Sequence, residues 1–189
     1  TVLDRIGGVS GLSASGGTWY ANTDEIANLA SGANPAEIIW RGDVGQSNSL
    51  EKSNFPPSLY GSGRVNPTQN IVDAFPAING YPISDPASGY SATNPYANRD
   101  PRLSKYILIN GGKQGPSSTV ITTGTYGTNK DGLNKESGLS TRTGYYLLKL
   151  MRPDCNPDPQ YNTEQKHYTA RIRYTEIFLN YAEAANEAW

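Results

Sequence analysis

His167 is the sole histidine among 189 residues, so a serine or cysteine nucleophile would have to draw its general base from that one position. No Gly-x-Ser-x-Gly elbow occurs anywhere in the chain. Cys155 is equally alone and lies in a Pro-rich loop without an evident activating neighbour, which excludes an intrachain disulfide and a multi-cysteine metal site. The run Asp154-Cys155-Asn156-Pro157-Asp158 imitates the first half of a calcium loop. However, Pro159 takes the glycine position and Gln165 stands where a bidentate glutamate belongs, so a polar turn is expected and no metal or cofactor.

Glycoside hydrolysis asks for less, namely two acids at a suitable separation, and Glu37, Asp73, Asp85 and Asp100 are candidates. Each also has an ordinary explanation: Asp100 as a helix cap, Asp73 as a short-helix residue, Glu37 as a strand anchor. Aromatic residues on loops are more suggestive. Trp19, Tyr20, Trp40, Phe55 and Tyr60 lie in or beside Asn- and Ser-rich segments, where a ring face can stack on a sugar while neighbouring amides bind its hydroxyls. The competing explanation for each is core packing. Trp19 is the leading candidate because its surroundings are the richest in glycine.

The elements that must position these groups are short and widely spaced. With 36% hydrophobic residues and 20 Gly beside 13 Pro, much of the chain must be connections. Thirteen Tyr against three Phe suit amphipathic surfaces over oily ones. A net charge of −1 with scattered basic residues leaves no footprint for nucleic acid. Thr23 caps an expected helix over Asp24 to Ala30, and Glu37 to Trp40 reads as a strand. Residues 41 to 65 read as a long loop holding Phe55 and Tyr60. Asn66, Pro67 and Gln69 read as cap, first helical proline and capping-box glutamine of a helix to about Phe75, with Ile71, Val72 and Phe75 on its buried face. Asp100-Pro101 repeats the cap-and-proline signal. Tyr106 to Ile109, Val120 to Thr123 and Tyr145 to Leu150 are strand candidates that would build at most a small sheet.

The C-terminal stretch Arg171 to Ala188 has the clearest pattern of all. Tyr174, Ile177, Phe178, Tyr181, Ala182 and Ala185 recur at helical spacing and predict one helix whose apolar stripe expects a protein partner. No stop signal precedes the last residue, so the chain reads as cut inside an element. No apolar run is long enough to span a bilayer, and no secretion signal opens the chain.

Five ordered segments carry a family resemblance: Asn34 to Trp40; Pro67 to Phe75 with Asn79-Gly80; Asn98 to Leu103; Thr143 to Tyr146 with Lys149; and Arg173 to Glu187. Together they resemble the SusD/RagB family of outer-membrane nutrient-binding lipoproteins found beside TonB-dependent transporters in Bacteroidetes. The resemblance implies a mainly α fold with large irregular loop content. Residues 1–170 would be a loop-rich, ligand-binding region with a few short strands, and 171–189 a truncated tetratricopeptide-like scaffold helix. It implies a non-enzymatic protein at the cell surface, whose membrane association is only through a lipid anchor absent from this chain. Such a protein captures a glycan or other nutrient and passes it to a SusC-like transporter. Trp19, Tyr20, Trp40, Phe55 and Tyr60 would then meet ligand, while Arg99, Asp100 and Arg102 would tie loops together. A carboxylate-pair glycosidase and a non-binding structural protein are the alternatives.

Overall fold

The computed structural model describes residues 8–12, 33–34, 37–125 and 129–188; the helix expected over Asp24 to Ala30 lies outside them. The chain divides into two compact units, Asn48–Glu164 and a second made of Thr1–Ser47 with Gln165–Trp189. Among the described residues no helix is long and apolar enough to cross a membrane.

The Asn48–Glu164 unit opens with a helix, α1 (Ser49–Asn54), inside the stretch expected to be loop. Its partners are distant in sequence, which is why local composition misses it. Glu51 is fully buried and its Oε1 accepts the Arg152 N–H at 2.8 Å. The Asn48 amide donates to Asn162 Oδ1 at 2.8 Å and to the Thr163 carbonyl at 3.0 Å, and Asn54 Oδ1 accepts the Val65 N–H at 3.2 Å.

Helix α2 (Gln69–Ala74) begins later than the Asn66 cap signal predicts, with Thr68 as its N-cap. The Asn66 amide is engaged elsewhere: it donates to the Gly63 carbonyl at 3.0 Å and accepts the Arg142 N–H at 3.1 Å. Gln69 likewise forms no capping box. It donates to Asp73 one turn on and accepts the Tyr145 hydroxyl, both at 2.8 Å. Val72 is buried and Phe75 half-buried, but Ile71 is 48% exposed, because so short a helix presents a single narrow arc to the core.

Helix α3 (Pro101–Tyr106) runs directly into β3 (Ile107–Leu108), which pairs antiparallel with β6 (Tyr146–Leu147). Successive residues of extended chain point to opposite faces, so β3 and the Tyr145–Tyr146 step at the start of β6 each feed two cores. Ile107 and Tyr145 join Val72 and Leu103, flanked by Phe75, Tyr96 and Tyr106. Leu108 and Tyr146 join Ile121 on the other side, with Leu59 and Leu148 against them. The remaining pair, β4 (Lys113–Gln114) and β5 (Thr119–Val120), is a hairpin closed by the Ser118 N–H donating to the Gly115 carbonyl at 2.9 Å. The expected strands therefore contract to two-residue ladders in separate pairs and do not merge into one sheet.

In the other unit, β1 (Ile38–Arg41) pairs antiparallel with β8 (Ala170–Arg173), and β2 (Gly45–Ser47) with β7 (Gln165–His167). Helix α4 (Tyr174–Glu187) follows β8 without a break. Arg171 to Arg173, expected to be helical, are strand instead. The Arg173–Ile38 pairing holds them extended, and the buried Glu37 fixes the junction. The Glu37 carbonyl accepts the Tyr174 N–H at 2.9 Å, and its carboxylate accepts from Arg173 at 3.1 Å and from the Thr175 hydroxyl. Along the stripe, Tyr174, Ile177 and Phe178 are half-buried, whereas Tyr181, Ala182 and Ala185 are exposed.

Candidate ligand-binding cleft

Within the Asn48–Glu164 unit, three segments surround a cleft of about 280 Å³, lined by Ser58, Leu59, Tyr60, Pro116, Ser117, Thr119, Asn156, Asp158 and Tyr161. That volume lies at the small end of ligand pockets.

The first wall is built on the tandem prolines. Pro57–Leu59 form one 3₁₀ turn, and Tyr60 caps it in the left-handed region at φ 59°. Gly61 then folds the chain back over Phe55 so closely that a Cβ there would stand 2.0 Å from the Phe55 carbonyl oxygen. Leu59 is clamped between the Leu108–Ile121–Tyr146 cluster and Gly115, whose φ of +79° turns the facing hairpin. The Ser58 N–H donates to Asp131 Oδ1 at 2.7 Å. Tyr60, 54% exposed, therefore projects from a turn that is pinned on each side.

Pro116, Ser117 and Thr119 of the β4–β5 hairpin make the second wall. The third is a polar turn closed by reciprocal backbone hydrogen bonds between Asn156 and Thr163 at 2.9 and 3.2 Å. Inside it, Asn156 Oδ1 accepts the Asp158 N–H, Asp158 Oδ1 accepts the Gln160 N–H, and the Asp158 carbonyl accepts the Tyr161 N–H. These bonds consume the calcium-like pattern as turn chemistry. They also set Tyr161, 63% exposed, at the rim.

Chemically, the lining is aromatic faces plus hydrogen-bonding groups that the protein leaves available. Among the described residues the hydroxyls of Tyr60, Tyr161, Ser117 and Thr119, the Asn156 Nδ2 and the Asp158 Oδ2 make no hydrogen bond within the chain. The Ser58 hydroxyl oxygen is enclosed and likewise has no partner. A buried hydroxyl gains about 1–3 kcal/mol from a partner it otherwise lacks. Lys130 holds its ammonium 5.7 Å from the Tyr60 ring centroid, in cation–π range.

The residues singled out from the sequence are scattered by comparison. Tyr60 lies in the cleft. Phe55 does not: it is 0% exposed beneath the Gly61 turn and offers no face to a ligand. Trp40 is 60% exposed on β1 in the other unit, and Trp19 and Tyr20 lie outside the described residues. Arg99 is buried, and its guanidinium donates to the carbonyls of Pro95, Val72 and Phe75 at 2.6–2.8 Å. Asp100 caps α3 through the Arg102 N–H at 2.8 Å and pairs with the Arg102 guanidinium. The four candidate acids all have structural partners: Glu37 with Arg173, Asp73 with Gln69, Asp85 with the Ala87 N–H, Asp100 with Arg102.

Of the other lining residues, Tyr161 and those of the hairpin are not singled out by the sequence, and Asn156 and Asp158 are so only as members of the calcium-like run. The signal for Tyr161 was the one used for Tyr60, an aromatic in a Pro- and Asn-rich loop, and it applies equally to residues 153–164.

No curated protein matches the chain. Among solved structures it is similar to a SusD-like carbohydrate binding protein from Bacteroides fragilis, at 24% identity and a TM-score of 0.60 over 79% of this chain and 29% of that one. A second SusD-like protein from Bacteroides fragilis aligns at 23% identity and a TM-score of 0.62 over 91% of this chain and 36% of the other. The chain thus spans about a third of the length of these solved relatives and shares their fold. The SusD family model matches residues 33–188, a span that takes in both units and every wall of the cleft, and on that match the chain belongs to the SusD family.

Proposed function

We propose that this protein binds a glycan at the cell surface and hands it, uncleaved, to a SusC-like TonB-dependent transporter of the outer membrane. The observation that carries the binding step is the cleft itself, where Tyr60 and Tyr161 stand exposed beside hydroxyl, amide and carboxylate groups that have no partner in the fold. Ring faces stack on the apolar face of a sugar, and the available polar groups match its hydroxyls. The carbohydrate binding stated for one of the similar structures supports the same ligand class here.

Absence of cleavage is supported by the structural employment of Glu37, Asp73, Asp85 and Asp100, each held by a partner within the fold. Trp19, Tyr20 and Trp40, in the other unit, are proposed as ligand contacts of their own, apart from the cleft. In this reading α4 is a tetratricopeptide-like scaffold helix, and its exposed Tyr181, Ala182 and Ala185 meet neighbouring helices of the family fold. Outer-membrane location follows from the same family reading.

The experiment is a binding screen of the full-length protein against plant, host and microbial polysaccharides, with released reducing sugars assayed in parallel. Retention of intact glycan supports the reading. Turnover that disappears on neutralising one acid would move the protein to the glycosidases, and binding to no glycan would leave a structural role.

A further inference from the structure

The cleft carries a charge asymmetry that narrows its ligand class. Among its lining residues Asp158 alone bears a formal charge at neutral pH; the others are hydroxyl, amide, phenol and aliphatic groups. Asp158 is held in place, since its Oδ1 accepts the Gln160 N–H at 2.8 Å, while its Oδ2 makes no hydrogen bond within the chain. A second carboxylate lies behind the first wall, against Ser58. Asp131 is 2% exposed and receives the Ser58 N–H, so its charge is poorly screened and adds to the same sign of potential. The Lys130 ammonium lies 5.7 Å from the Tyr60 ring centroid and forms no ion pair with Asp158.

We infer that the cleft selects uncharged or amino sugars and rejects acidic ones such as uronates, with Asp158 as the specificity-determining residue. This rests on the glycan-binding reading above. A free Asp158 oxygen accepts hydrogen bonds from sugar hydroxyls and more strongly from an ammonium. A sugar carboxylate brought to the same place meets a like charge that no guanidinium or ammonium of the described residues pairs with, and a like-charge contact is an established means of excluding a wrong partner. The neighbouring donors, Asn156 Nδ2 and the Ser58, Ser117 and Thr119 hydroxyls, serve neutral hydroxyls equally well and do not reverse this preference.

The test is titration of the full-length protein and its Asp158→Asn variant with three oligosaccharide sets at low and high salt: neutral gluco-, xylo- and manno-oligosaccharides, oligogalacturonate, and chitosan oligosaccharide. The expected result for the parent is at least about tenfold weaker binding of oligogalacturonate than of the best neutral set, narrowing as salt rises. In Asp158→Asn the neutral-to-acidic ratio should fall at least about fivefold, and any advantage of chitosan should shrink with it. Equal binding of neutral and acidic sets by the parent, or a ratio unchanged in the variant, would overturn the selectivity while leaving glycan binding intact. Binding of no set would instead remove the glycan reading and this inference together.

Discussion

Asp131 Oδ1 accepts the Ser58 backbone N–H at 2.7 Å across 73 positions of sequence, and this bond ties the first wall of the cleft to the interior. The main-chain carbonyl of the same aspartate accepts the Tyr146 hydroxyl at 2.9 Å, and that hydroxyl accepts the Thr141 N–H at 3.0 Å. A buried tyrosine of the core, the turn at Asp131 and the proline turn that carries Tyr60 are therefore one hydrogen-bonded line.

Breaking that line at Asp131 should cost both stability and binding. Asp131→Ala leaves the Ser58 N–H without its charged acceptor, a loss of about 1–3 kcal/mol in denaturant-induced unfolding. Asp131→Asn keeps an acceptor oxygen and should lose less. Glycan affinity should fall in the order parent, Asn, Ala, because the Tyr60 turn loosens in that order.

The core tyrosines make the protein sensitive to alkali. Burial pushes the Tyr146 phenol up to about 12, against a modest downward pull from the Thr141 N–H, and burial likewise raises Tyr145, helped by the Tyr96 hydroxyl. For a phenol whose folded value exceeds its unfolded value of about 10, the unfolded chain releases its proton first as pH rises. The stabilising contribution is thus complete below about pH 10 and is lost between there and about pH 12. Urea unfolding followed across that window should show stability falling with pH. Tyr146→Phe should be less stable at neutral pH and less steep in alkali.

Arg99 is a loop tie whose geometry only a guanidinium satisfies. It reaches three carbonyls, of Pro95, Val72 and Phe75, and lies 5.6 Å from the Tyr90 ring centroid. Arg99→Met should cost about 3 kcal/mol or more, and Arg99→Lys should restore little of it, since a single ammonium cannot span the fork. Folded material of either variant should retain glycan affinity.

At Asp100 the cap matters more than the ion pair. The carboxylate takes the Arg102 N–H of a helix that delivers Leu103 to the core, whereas the Arg102 side chain is 63% exposed. Asp100→Ala should lose about 1 kcal/mol and Arg102→Ala less, measured by thermal unfolding. The Arg102 hydrogen bond holds the Asp100 carboxyl below its ordinary value. Its contribution is therefore present above the usual carboxylate range and is lost as pH falls through the lowered value.

How legible the chain was depended on whether partners were local. The Asp100-Pro101 cap, the strand beginning at Ile38 and the helix holding Tyr174 to Tyr181 are written in neighbouring residues, and they stand in the structure with shifted ends. Helix α1 was invisible because Asn48 and Glu51 find their partners near residues 152–163, far along the chain. The Asn66 cap signal misled because its amide nitrogen is taken by the nearby Gly63 carbonyl and its oxygen by the distant Arg142 N–H. For the proposed site, loop aromatics in polar surroundings pointed to the cleft-lining Tyr60 and equally to Phe55, five residues earlier, which is buried. What separates them is tertiary: the chain folds back at Gly61 against the Phe55 backbone, and Phe55 is fully buried while Tyr60 is 54% exposed.

The central claim is tested most directly by the affinity of Tyr60→Ala, Tyr161→Ala and the double variant for the best glycan from the screen, with Trp19→Ala and Trp40→Ala as comparators and thermal melting measured on all. Removal of an aromatic anchor typically costs about 2 kcal/mol or more of binding, so each cleft variant should lose at least about tenfold in affinity while melting like the parent. Full affinity in the double cleft variant would show that the sugar sits elsewhere and contradict the account, whatever Trp19→Ala and Trp40→Ala do.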